Sequence, residues 1–369
     1  MGAAPSTFSG RVGIAGAGLL GRLLAWQLLR QGCSVSLFEA GPLTGNPSAA
    51  GYTAAGMIAP LSEAVATERL AYDMGMASLA LWPQWLAALG QAPVHYAQNG
   101  SLVIAHSQDQ AELRQFEQDL RSMLGASARY QALDHGALAA LEPDLASHFR
   151  SGLYLPDEAH IDNRHLLDVL LQESQRLGLS SFEHTPVTTH PQQIKTDSAT
   201  YTFDLVLDCR GQGAKPQWSE VRGVRGEVLA VQTPDVHLSR PVRLMHPRYQ
   251  LYVVPKPNQH FVIGATQIES EDRSPVSLQS LLELSSALYT ISPAFAEARV
   301  IETAVNLRPA LMDNRPRIQA EAGLVRVNGL FRHGYLLAPV VVQHLLNWLN
   351  HENTLPFADV LGLEELSFA

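Results

Sequence analysis

The stretch "RVGIAGAGLLGRLLAWQLLRQGCSVSLFEA", residues 11–40, decides the fold. Val12 to Ala15 form a short apolar run suited to a buried parallel strand. Gly16, Gly18 and Gly21 follow in G-x-G-x-x-G spacing. Leu19, Leu20, Leu23, Leu24 and Leu28 then recur at helical intervals until Gly32 stops them. A second strand, Ser34 to Phe38, ends in Glu39. In such a unit the first glycine permits the tight turn, the second lets a pyrophosphate approach the backbone, and the third lets helix and strand pack closely. The free N–H groups and positive end of the helix attract the phosphates. Glu39, about twenty residues beyond the glycines, suits a ribose hydroxyl and repels the extra phosphate of NADP. FAD and NAD both satisfy this segment.

Outward from that unit, "GNPSAAGYTAAGMIAP" (45–60) is rich in small residues. It reads equally as a plain surface loop or as backbone laid close against a flat ligand. Helical patterns follow near 68–89 and from Gln108 to Leu124, with a strand "SLVIA" between them. "HIDNRHLLDVLLQESQRLG" reads as a helix capped by Asp162 and ended by Gly178. "SSFEHTPV" and "YTFDLVLDCRG" resemble strands returning to the first sheet. From about Gly223 to Leu307 the texture becomes short, β-rich and turn-separated, with one helix near 277–291, which predicts a mostly antiparallel sheet inserted in the nucleotide fold. "GLVRVNGLF" and a helix from Leu337 to Asn350 restore βα character. Pro339 in "FRHGYLLAP" is read as lying in that helix's first turn, where its missing N–H costs nothing.

Composition bounds the partners. The chain has 369 residues, 46% of them hydrophobic and 17% charged, as a globular protein does. A formal net charge of -9 argues against a nucleic-acid or anionic-membrane partner. Cys33 and Cys209 fit no metal spacing and are expected as buried thiols in a reducing compartment. No apolar run reaches the roughly 20 residues of a membrane span. The leader "MGAAPSTFSG" lacks a basic start and an apolar core, so it is expected to be a loose tail, with the cytoplasm as the location.

With these pieces assembled, the chain resembles the D-amino-acid oxidase family of FAD flavoproteins, and within it the glycine oxidases of thiazole (thiamine) biosynthesis. The resemblance runs over nearly the full length. It is carried by "GAGLLG" with Glu39, "TAAGMIAP", "FEHTPV", "YVVP" with "VIGAT", "NLRP" and "FRHGYLLAP", in the family's order. It implies an α/β fold: a Rossmann-like FAD-binding domain of glutathione-reductase type with an inserted, mostly antiparallel substrate domain. The expected division is 1–90, 150–222 and 308–369 for the FAD-binding domain, and 91–149 with 223–307 for the substrate domain.

The resemblance also assigns roles. FAD would be bound by Gly16, Gly18, Leu19, Leu20, Gly21, Glu39, Ala40, Ala55, Gly56, Met57, Val187 and the run Leu330, Phe331, Arg332, His333, Gly334, Tyr335 and Leu336. A small amino-acid or amine substrate would be held by Tyr252, Arg308 and Arg332, with Tyr249 or Arg248 as stand-ins for Tyr252. No catalytic base and no metal are implied. The implied reaction is oxidative deamination of glycine or a small amino acid, yielding a 2-oxo acid, ammonia and, with molecular oxygen as acceptor, peroxide. Alternatives are a D-amino-acid, sarcosine or other secondary-amine oxidase or dehydrogenase, and more remotely a flavin domain that modifies tRNA, which the net charge disfavours. A homo-oligomer is also implied. His333, where a small polar residue is usual, and "DCRG" (208–211) depart from the family pattern.

The run around Arg332 then has a purpose. A reduced flavin carries negative charge near N1 and the C2 carbonyl, and a helix N-terminus with positive side chains stabilises that charge. Arg308 can clamp a substrate carboxylate with a planar fork, and a Tyr252 hydroxyl can donate to the same group. Catalysis would come from positioning and cofactor electronics.

Overall fold

A computed structural model describes residues 8–45, 47–90, 93–247, 251–351 and 356–363. The first seven residues of the leader lie outside the described residues, as do Arg248 and Tyr249, so those expectations have no structural counterpart.

The opening segment folds as its pattern requires. Strand Arg11–Ala15 passes through the glycine turn into helix Leu19–Arg30 and returns as strand Ser34–Phe38, parallel to the first. These two strands sit inside a six-stranded sheet ordered Arg317–Glu321, Leu324–Asn328, Leu205–Asp208, Arg11–Ala15, Ser34–Phe38, Ser180–Phe182. All neighbours are parallel except the edge pair Arg317–Glu321 and Leu324–Asn328. One face buries Val12 and Ile14 against Leu23, Leu24 and Leu28 of the first helix. Leu166 and Leu170 of helix Asn163–Arg176 and Leu337 and Val341 of helix Gly334–Leu349 complete that core. On the other face Phe38, Ile194, Phe203 and Val206 pack under a small antiparallel sheet of Thr188–His190, Gln193–Lys195 and Thr200–Thr202.

The β-rich middle forms an eight-stranded sheet ordered Arg299–Ala310, Arg222–Gln232, His260–Gly264, Leu251–Lys256, Val242–Met245, Ser101–Ala105, Gly152–Leu155, Gln131–Leu133. Every pairing is antiparallel except Val242–Met245 with Ser101–Ala105. This is the mixed α/β fold with a mostly antiparallel insertion that the patterning predicts. Helix Leu278–Ile291 covers this sheet through Leu284, Leu288 and Ile291.

One open local reading is decided and one is corrected. Of the two readings held for 45–60, the described part is no plain surface loop: Ala50–Thr53 form a helical turn, and Met57–Ile58 pair antiparallel with His160 and Ala159. The last helix begins at Gly334, three residues earlier than the proline rule indicates. Pro339 therefore lies in its second turn, where the missing N–H leaves the Tyr335 carbonyl without its usual donor. The Trp82 indole N–H donates to that carbonyl at 2.9 Å, and Ser78 Oγ accepts from Val340 N at 3.2 Å. Tertiary contact from helix Arg69–Ala88 thus supplies what the local sequence withholds.

Candidate functional site

The two sheets and the last helix enclose a cavity of about 900 Å³. At one end lies the glycine turn. Gly16 has φ +97°, and a Cβ there would meet the Arg210 Cα at 2.7 Å. A Cβ on Gly21 would sit 1.9 Å from the Gly16 carbonyl oxygen, so only glycine lets the helix start this close to the strand end. Gly18 is the N-cap of helix Leu19–Arg30, with no side-chain cap on its N–H groups. Glu39 accepts from Ala17 N at 2.7 Å and from Gly41 N at 3.1 Å, which fixes its carboxylate beside the turn.

The "DCRG" departure is built into this end. Arg210 grips the buried Asp208 through Nε and Nη2 at 2.9 and 2.6 Å and donates to the Val187 carbonyl at 2.7 Å. Val187 is thereby tied to the strand end beside Gly16.

The middle of the cavity is walled by the small-residue run through Ala55, Gly56 and Met57. Behind Gly56 lies Lys256, whose Nζ donates to the Ile161 carbonyl at 2.6 Å and to Asn163 Oδ1 at 3.0 Å. Burial pushes its amine down to about 7. From the opposite terminus, Tyr335 donates its hydroxyl to the Gly51 carbonyl at 2.9 Å, and Gly334 faces Leu19 of the first helix. The two ends of the chain meet here.

At the far end are the expected substrate residues. Arg308 donates through Nη1 to the Thr266 carbonyl at 3.0 Å and to the Arg225 carbonyl at 3.3 Å. Burial lowers its pKa, and the neighbouring Tyr252 hydroxyl works against that. Burial raises the Tyr252 phenol, opposed by Arg308 and Arg332. Arg308 is not a surface ion pair. Space for both groups comes from two glycines within strands: a Cβ on Gly226 would strike the Arg308 guanidinium at 2.5 Å, and one on Gly264 would strike the Tyr252 hydroxyl at 2.9 Å.

Arg332 binds Glu63 through Nε at 3.0 Å and Nη2 at 3.1 Å, and His333 Nδ1 lies 3.2 Å from the same carboxylate. Burial works to raise the Glu63 pKa, yet Arg332, His333 and Arg243 together hold it far below the usual carboxylate range. Of the described residues expected from the sequence, all but Gly21 border this one cavity. Gly21 lies behind its wall as a packing residue.

Glu63 and Arg243 also line the cavity, and reading the sequence missed both. Arg243 is buried in strand Val242–Met245, opposite Tyr252 on the neighbouring strand, and donates to the Ser62 carbonyl at 3.2 Å. A lone arginine in the apolar strand "VRLM" was the available signal, since a charge there must face a polar interior site. Isolated glycines in "RGEV" and "VIGAT" were another, because a glycine inside a strand marks a close approach.

The donor set fits a flavin dinucleotide: uncapped helix N–H groups and a fixed carboxylate at one end, a side-chain-poor middle, and cationic groups at the other. Among the described residues no cluster of three or more His, Cys, Asp or Glu could hold a metal ion, and no helix is long and apolar enough to cross a membrane.

Comparison with known proteins agrees with this geometry. A family model described as FAD-dependent oxidoreductase matches residues 11–348. A Rhizobium etli protein that carries the name thiamine biosynthesis oxidoreductase ThiO is 40% identical over 350 residues, covering 94% of this chain and 98% of that one. The glycine oxidase of Bacillus subtilis is 27% identical over 345 residues, covering 88% and 89%. The crystal structure of glycine oxidase from Geobacillus kaustophilus superposes with a TM-score of 0.82 at 23% identity, covering 96% of this chain and 98% of that one.

Proposed function

Because the chain belongs to the family of FAD-dependent oxidoreductases and resembles glycine oxidases, we propose that it oxidatively deaminates glycine or a similarly small amino acid or amine. The products are a 2-oxo acid, ammonia and hydrogen peroxide. One observation carries this reading: a single cavity is bordered both by the glycine turn with Glu39 and by Tyr252, Arg308 and Arg332.

FAD, when bound, would supply the hydride acceptor, with oxygen as the final oxidant. The chain's own part is to hold and orient. The helix Leu19–Arg30 N-terminus and Gly18 receive the diphosphate, and Glu39 offers its remaining lone pairs to a ribose. Ala55, Gly56 and Met57 would line the ring system, and the N-terminus of helix Gly334–Leu349 would offer its positive end to the charge of the reduced flavin. Arg308 and Tyr252 receive the substrate carboxylate. A guanidinium already held through Nη1 by two carbonyls loses little freedom on binding, which favours tight positioning. Arg332 is neutralised by Glu63 and serves the cavity's shape and charge balance.

The test is a substrate panel under air with peroxide detection, using glycine, sarcosine, D-alanine and D-proline. Purified protein should be yellow, and its flavin bands should bleach when glycine is added anaerobically. Bleaching by another panel member but not by glycine would reassign the substrate. A chain that cannot be loaded with FAD would refute the proposal.

A further inference from the structure

His333 stands where a small polar side chain would suffice, and its surroundings are unusual. It is 4% exposed, borders the cavity, and is the N-cap of the 16-residue helix Gly334–Leu349. Among the described residues neither ring nitrogen has a hydrogen-bond partner. Nδ1 lies 3.2 Å from Glu63 Oε2 without the alignment of a hydrogen bond. A buried imidazole is ordinarily satisfied, so two unpaired nitrogens at a cavity wall call for an explanation.

We infer that His333 takes up a proton when the flavin is reduced. This rests on the preceding reading, which puts the flavin's electron-rich edge at this helix terminus. Hydride transfer brings two electrons and one proton to the cofactor and leaves one negative charge on it. A second proton, from solvent, adds to a ring nitrogen of His333, and no other bond changes. Negative charge arriving in a buried cavity favours a cationic neighbour, and the Glu63 carboxylate 3.2 Å from Nδ1 is placed to pair with an imidazolium.

Neighbouring charges define what else can titrate. Glu63, from helix Pro60–Ala66, is held ionised by Arg332, His333 and Arg243. Arg243 and Arg308, from two separate strands, are guanidinium groups that stay charged, Arg332 is paired with Glu63, and burial raises the Tyr252 phenol. Lys256, behind Gly56, is a further group brought near neutrality by burial. It is the control.

The experiment is the flavin midpoint potential of the FAD-loaded protein, measured against reference dyes from pH 6 to 9. A two-electron couple changes by about 30 mV per proton per pH unit. Outside the window the slope should be about 30 mV per pH. Where His333 takes up its proton the slope should steepen towards about 59 mV per pH. His333→Asn should abolish the steep window while Lys256→Met retains it. Glu63→Gln should move the window to lower pH, because the carboxylate that favours the imidazolium is gone. A uniform slope near 30 mV per pH in the parent protein, or a window that survives His333→Asn, overturns the inference while leaving the flavoenzyme reading intact. Failure to bind FAD removes both.

Discussion

Replacing Arg308 by methionine tests the substrate clamp most directly. The guanidinium is desolvated, donates through Nη1 to the Thr266 and Arg225 carbonyls, and abuts Tyr252. Methionine retains much of the stem's bulk but leaves a substrate carboxylate with only the Tyr252 hydroxyl. Removing one partner of a buried charge pair costs about 2–5 kcal/mol. At 1.4 kcal/mol per tenfold, that weakens carboxylate binding by about 30-fold to a few thousand-fold. Glycolate, which carries the carboxylate but no amine, should perturb the flavin spectrum on binding, so its Kd can be titrated without turnover. Retention of FAD should be unchanged, since the glycine turn and Glu39 lie at the other end of the cavity. Arg308→Lys should fall between, because an ammonium is a point charge without the planar fork. A change in glycolate Kd below threefold in Arg308→Met, or equal losses of glycolate and FAD, would refute the clamp.

Other expectations concern the scaffold. Gly21→Ala places a Cβ 1.9 Å from the Gly16 carbonyl oxygen, so the helix start must shift; a cost of about 1–3 kcal/mol should appear as about 5- to 100-fold weaker FAD retention. Trp82→Phe leaves the Tyr335 carbonyl without its donor and should destabilise the protein by about 1–3 kcal/mol in urea melts. Adding Pro339→Ala restores a backbone N–H to that carbonyl, so the double variant should recover part of the loss; simple additivity would contradict the argument. Lys256 has a folded pKa of about 7, below its ordinary 10.5, so between those values the unfolded chain binds the extra proton. Its contribution to stability therefore rises from pH 7 towards pH 10.5, by up to roughly 5 kcal/mol, and falls as pH drops through that window. Lys256→Met should flatten this part of the stability–pH curve, and an unchanged slope would contradict the shift.

The parts of the fold that repeat locally were legible in the sequence. The glycine spacing and the distance to Glu39 are fixed by one turn and one βαβ unit, and the alternation in "YVVPK" and "FVIGAT" follows the two-residue strand period. Residues whose meaning depends on partners far along the chain were not legible. Glu63 reads as a surface helix residue until Arg332, 269 positions later, closes on it. The start of the last helix was misplaced because a local proline rule lost to a tryptophan 253 residues upstream of the carbonyl it serves. Arg210 broke a pattern of small residues, and only Asp208 and the Val187 carbonyl show why it is tolerated.

The sheet's assembly order differs from the order of synthesis. Strand Leu205–Asp208 lies beside Arg11–Ala15, and its outer neighbours Leu324–Asn328 and Arg317–Glu321 are made more than a hundred residues later. Helix Gly334–Leu349, which closes over Leu19 and Gly51, is made later still. On a ribosome, where domains ordinarily fold from the N-terminus onward, the nascent chain must carry an open, apolar cleft until helix Gly334–Leu349 has been made. Loading of the dinucleotide then becomes a late checkpoint. Truncation just before residue 330 should yield a chain that clings to chaperones instead of one that binds its ligand weakly.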